Sequence, residues 1–231
     1  MPDNDDMLRE ILLRLPPLPS SLPRASLVCK RWLRLLSDPA FLRRFRAFHR
    51  RNPPLLGVYV SDFGSPSFAP TLDPPDSIPY ARLTLRRPRD ETWAFLGCRH
   101  GLALILDLGR MELTVWDPVT GDRRRVAAPL GFDNGDSVLA VRNAALLCDG
   151  GHGGGSPIQS FKVVLLRTDD VLTDADPQAF ASLYESKTGV WGDLISTPIT
   201  APLWIPRPSI LIGNSIFWLL LGYGSTGHWP P

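Results

Sequence analysis

Of the residues in this 231-residue chain that could move protons, His100 and His152 with Asp107 or Asp149 are the set to weigh first. An imidazole oriented by a carboxylate is a general acid or base near neutral pH. These residues share no motif, and no GxSxG nucleophile elbow accompanies them. The expectation is no catalytic residue and no activity of the chain's own. Cys29, Cys98 and Cys148 are odd in number, far apart and match no CxxC spacing. They predict neither a disulfide framework nor a metal centre, and read as small buried hydrophobes in a reducing compartment. The run "CDGGHGGGSP" at 148–157 lacks the Lys-Ser/Thr of a phosphate-binding loop, so it reads as a flexible insertion. No cofactor and no metal are expected.

The elements that position side chains are therefore more informative than any reactive pair. In "MLREILLRLP", Met7, Leu8, Ile11, Leu12 and Leu15 recur at helical spacing. Asp5 and Asp6 suit the positive end of that helix, and Pro16-Pro17 stops it. A second helix can open at Ser21 or Leu22 because Pro23 fits a first turn, and it carries Leu27, Val28, Trp32, Leu35 and Leu36. The "VCKRW" segment either continues it or bends it into two shorter pieces. Ser37 or Asp38 then caps a third helix with Pro39 in its first turn and Phe41, Leu42, Phe45 and Phe48 on one face. Three short helices are thus expected over residues 1–50.

Charge is unevenly divided. The net charge is +2, yet residues 1–52 hold 11 Lys/Arg against 5 Asp/Glu. The basic run "LRRFRAFHRR" has the phenylalanine stripe of an amphipathic helix and no spare recognition helix beside it, so nucleic-acid binding is not expected. The longest apolar region, "SILIGNSIFWLLLGY" at 209–223, is interrupted by Gly213-Asn214-Ser215 and is shorter than the roughly 20 residues a bilayer requires. It reads as two strands and a turn, and no membrane is implicated. The acidic opening "MPDNDDML" does not resemble a secretory leader, which points to cytoplasm or nucleus.

From about residue 53 the texture changes to prolines, Gly-Ser pairs and short strand-length runs. "VWDPVTGDRRRVAAP" at 115–129 is echoed by "LYESKTGVWGDLISTP" at 183–198, aligning Trp116 with Tyr184, Asp117 with Glu185 and Thr120-Gly121 with Thr188-Gly189. Each reads as strand, glycine turn, strand after a further apolar strand. Repeated small antiparallel sheets suggest an incomplete β-propeller, with Trp116, Trp191, Trp204, Trp218 and Tyr184 filling the blade interfaces. Arg123 to Arg125, with exposed aromatics, are candidates for contact with a target at the propeller mouth.

The stretch "MLREILLRLPPLPSSLPRASLVCKRWLRLLSDPAFLRRF" resembles the F-box, through its apolar helix ending in Leu15-Pro16, Val28-Cys29-Lys30 with Trp32, and Phe41 after the Asp-Pro turn. "GCRHGLALIL", "VWDPVTG" and "LYESKTGVWGD" resemble the kelch-related domain that accompanies the F-box in plant-type proteins. The resemblance implies an α+β multidomain chain, with a small three-helix F-box at 1–50 and an all-β, propeller-like, incomplete domain at 53–231. It implies a substrate receptor of a Skp-cullin-F-box ubiquitin ligase that holds a Skp-type adaptor, and through it a cullin, together with an unknown target protein. The alternative is a truncated, non-degrading binding or decoy protein. Adaptor contact is carried over to Leu8, Ile11, Leu12, Leu15, Pro16, Val28, Cys29, Lys30 and Trp32. The family's Leu-Pro pair before the first helix is replaced here by Asp3-Asn4, which would lower adaptor affinity.

Overall fold

A computed structural model describes residues 4–49, 52–60, 66–85, 92–132, 141–148, 158, 160–168, 178–201 and 208–220, with the side chains of Asn4 and Val141 excepted. The chain forms two compact units, Met1–Val60 with Phe68–Leu83, and Ser61–Ser67 with Thr84–Pro231. Pro2, Asp3, Asp149, His152 and Trp204 lie outside the described residues, as does nearly all of the glycine-rich insertion.

The first unit opens with α1 (Asn4–Leu13), α2 (Ser21–Ser26), α3 (Lys30–Leu36) and α4 (Pro39–His49). Asp5 and Asp6 occupy the first turn of α1, where carboxylates favour the helix dipole. Four helices replace the expected three, because the segment bends at Leu27–Cys29. Cys29 is extended, with φ −164° and ψ 167°, while its carbonyl accepts the Leu33 N–H at 3.0 Å and starts α3. Asp38 Oδ1 accepts the Ala40 N–H at 3.0 Å, and Pro39 needs no partner at the first helical position. The core holds Leu12, Leu13, Leu35, Leu36, Phe41 and Phe45, with Leu8, Leu15, Leu22, Ala25 and Trp32 packed against it. His49 Nε2 lies 2.9 Å from the Leu13 carbonyl, tying the end of α4 to the end of α1.

A two-stranded sheet pairs β1 (Gly57–Val60) with β2 (Ser67–Pro70), which from Phe68 onward belongs to the same unit. Gly57 is required there, since a Cβ would come within 2.3 Å of the Phe68 ring. Tyr59 packs edge-on against Phe68 and donates its hydroxyl to the Leu83 carbonyl at 2.8 Å.

The second unit is all β among its described residues. β3 (Trp93–Arg99), β4 (Leu102–Asp107), β5 (Glu112–Trp116) and β6 (Arg123–Ala127) form one antiparallel meander. β7 (Val141–Cys148), β8 (Phe161–Thr168), β9 (Gln178–Glu185) and β10 (Val190–Trp191) form the next, with β11 (Ile195–Pro198) also paired to β9. β12 (Ile210–Ile212) and β13 (Ser215–Phe217) make a two-stranded hairpin turning at Gly213, the arrangement expected from 209–223. No closed barrel is formed among the described residues.

The internal echo is a geometric repeat. The Gly121 N–H donates to the Asp117 carbonyl and the Gly189 N–H to the Glu185 carbonyl, both at 2.8 Å. Both glycines have positive φ, +84° and +72°, which a side chain would oppose. The registers correspond as well, with Trp116 opposite Arg123 and Tyr184 opposite Trp191.

Alternation along the strands sends Leu102, Leu104 and Leu106, Leu113 and Val115, Phe161, Val163 and Leu165, and Tyr184 into one shared core between the two meanders. The Trp191 Nε1–H donates to the Ala127 carbonyl at 2.9 Å, and Arg124 Nη2 donates to the Ser186 carbonyl at 2.8 Å. Tyr184 and Trp191 therefore fill the interface as expected. Trp116 is buried on the opposite face of its sheet from Val115, and Trp218 is half-buried. The cysteines depart from the reading as buried filler, since Cys29 and Cys98 are exposed and Cys148 is half-buried. Cys29 is exposed because it sits where the chain leaves one helix to start another.

Candidate functional site

Of the acid–base set, only His100 and Asp107 are among the described residues, and they are not brought together. His100 sits exposed at the β3–β4 turn with φ +53°, while Asp107 lies at the far end of β4, about 17 Å of strand away. Asp107 Oδ1 is occupied by the Gly109 and Arg110 N–H groups at 2.9 and 3.2 Å, a turn-forming role. Among the described residues no cluster of three or more His, Cys, Asp or Glu side chains could hold a metal ion. Although Cys98 is exposed by surface area, the protein atoms around its thiol raise the pKa to about 11. It is therefore a protonated thiol at neutral pH and a poor nucleophile.

Of the basic triplet of β6, Arg124 is spent inside the fold and Arg125 on a surface ion pair. Arg124 stacks 5.5 Å from the centre of the Phe161 ring in addition to its bond to Ser186, and Arg125 pairs with Glu112 at 3.5 Å. Arg123 alone of the three is left exposed with no ion pair among the described residues.

The helical unit has unspent surface. Ile11 is 54% exposed and Val28 62% exposed, and Pro16, Cys29 and Lys30 are exposed with them. Leu8, Leu15 and Trp32 are half-buried, each with one side on the helical core. Leu12 is fully buried and offers no surface to a partner. The nine residues thus divide into surface, bridging and core positions. Helical spacing alone cannot make that division, because Leu8, Ile11, Leu12 and Leu15 all fit one apolar stripe.

Met7, Leu27, Leu33 and Phe48 are also exposed, and sequence reasoning did not single them out as contacts. Met7 stands four residues before Ile11, hence on the same side of α1. Leu27 is next to Val28 at the bend, 85% exposed. Asp5 brings these two regions together, since its carboxylate meets Arg31 at 2.5 Å and Arg34 at 3.6 Å. The start of α3 at Lys30, directly after Val28-Cys29, therefore sits beside the first turn of α1. Arg44 and Glu10 tie α4 to α1 in the same manner. Aliphatic side chains left outside a unit that already has a core gain roughly 1.5 to 3 kcal/mol each on full burial. Several together can offset the entropy cost of association. The arrangement suits docking of another protein.

Residues 4–44 match the family model described as the F-box domain, which covers α1 to α3 and the first half of α4. Over 222 residues, 92% of its length, the chain is 26% identical to an Arabidopsis thaliana protein named as an F-box/kelch-repeat protein. The chain spans about half, 51%, of that relative's length. No solved structure matches it.

Proposed function

We propose that this chain, which carries an F-box domain at residues 4–44, is the substrate-recognition subunit of a Skp-cullin-F-box ubiquitin ligase. Residues 1–50 hold a Skp-type adaptor, and through it a cullin, while residues 53–231 hold a target protein destined for ubiquitin-dependent degradation. The supporting observation is that Ile11, Val28 and Lys30, inside the F-box match, stay exposed around a helical unit whose own core is complete. The contribution is non-catalytic: binding two proteins at once raises the local concentration of target near a ubiquitin carrier. Cytoplasm or nucleus is the compartment this role requires. Among the described residues no helix is long and apolar enough to cross a membrane.

A second reading, a truncated, non-degrading binding or decoy protein, is favoured by the last sheet, which has two strands among the described residues and exposes Ile210, Ile212 and Phe217. Affinity capture of the full chain from cells, followed by mass spectrometry, separates the two. Adaptor and cullin together, with a captured protein whose half-life lengthens on depletion of the chain, support the ligase role. Adaptor without cullin, and no change in any half-life, supports the second reading. Absence of the adaptor sinks the ligase role and leaves the second reading.

A further inference from the structure

We propose that the partner seated on the helical unit presents acidic groups around an apolar centre, and that charge steers its association. The inference rests on the adaptor reading and comes from an inventory of ion pairs. All three carboxylates of α1 are taken up internally: Asp5 by Arg31 and Arg34, Asp6 by Arg9, and Glu10 by Arg44. The remaining helical acid, Asp38, caps the Ala40 N–H. Arg14, Arg24, Lys30, Arg43 and Arg46 are exposed and meet no carboxylate within ion-pair distance among the described residues.

Three of these cations accompany the exposed apolar side chains. Arg14 follows Ile11 by three residues, Arg24 precedes Leu27 and Val28 by three and four, and Lys30 follows Val28 by two. The docking surface thus offers aliphatic groups flanked by positive charge, and among the described residues of α1 to α4 every carboxylate is engaged, as is Asp76, whose Oδ1 accepts the Ser20 N–H at 2.8 Å. A nucleic-acid backbone would match the cations but bring nothing apolar to cover Ile11, Leu27 and Val28. A protein face with carboxylates around an apolar patch matches both. Such complementarity acts mainly on the association rate and weakens as salt screens it.

The test is stopped-flow association of the full chain with a purified Skp-type adaptor at about 50 and about 500 mM salt. The wild-type association rate should fall about tenfold across that range. In the triple variant Arg14→Glu, Arg24→Glu, Lys30→Glu the low-salt rate should fall at least about tenfold, with the salt dependence flattened or reversed. Arg123→Glu, in the β unit, should behave as wild type. A wild-type rate indifferent to salt overturns the proposal and needs no variant to fold. If the wild type does not bind the adaptor at all, the ligase reading falls and this proposal with it. Tighter, salt-sensitive binding to duplex DNA or anionic vesicles than to the adaptor also overturns it.

Discussion

The four helices and the two stacked meanders differ in how far they close their apolar surface. In the β unit, residues of β4, β5, β8 and β9 close a core between two meanders, and Leu104, Val115, Val163 and Leu165 are all within 1% of full burial. The helical unit has a smaller core and leaves Met7, Ile11, Leu27 and Val28 outside it. The two meanders satisfy each other by stacking, and the exposed apolar side chains of the β unit, such as Leu130, Ile195 and Ile212, lie outside that core. A set of short helices below the size at which a core suffices has apolar positions to spare, and those positions are where a partner can be held.

That contrast can be broken by mutation. The largest effect should follow Phe161→Ala, which empties the β core beside Tyr184 and Arg124. It should cost about 3 to 5 kcal/mol in denaturant unfolding of the β unit and leave adaptor affinity unchanged. Leu12→Ala should come next, at about 2 to 5 kcal/mol, and should lower adaptor binding as well, because the helical core supports the docking surface. Loss of adaptor binding without loss of stability would place Leu12 in the interface instead. Asp38→Ala removes the α4 cap and should cost about 1 kcal/mol in the helical unit, read as a lower melting temperature with the β-unit transition unmoved.

Local signals carried much of this organisation. Pro16-Pro17, Pro23 and Asp38-Pro39 punctuate the helices where backbone chemistry requires, and the Thr-Gly turns mark matching hairpins at Gly121 and Gly189. What stayed hidden depends on contacts far apart in sequence. Arg124 looks like a surface cation until Ser186 and Phe161 come beside it. Cys29 and Val28 look like core residues in an apolar run, and only the bend between α2 and α3 turns them outward. Ile11 and Leu12 are adjacent aliphatic residues, one 54% exposed and one fully buried. No periodicity distinguishes a face that meets α4 from one that meets a partner. The same holds for Trp116 and Tyr184, which align in the repeat while the neighbouring sheet covers Tyr184 alone of the two.

The central claim is that the helical unit's exposed apolar residues are a docking surface for a Skp-type adaptor rather than incidental surface. Calorimetric titration of the adaptor into the wild-type chain and into the double variant Ile11→Asp, Val28→Asp tests it most directly, with thermal melts recorded alongside. The account predicts binding by the wild type, at least about tenfold weaker binding by the variant, and melting within about 0.5 kcal/mol of wild type, as for exposed substitutions elsewhere. Equal affinity of the two proteins for the adaptor would contradict it.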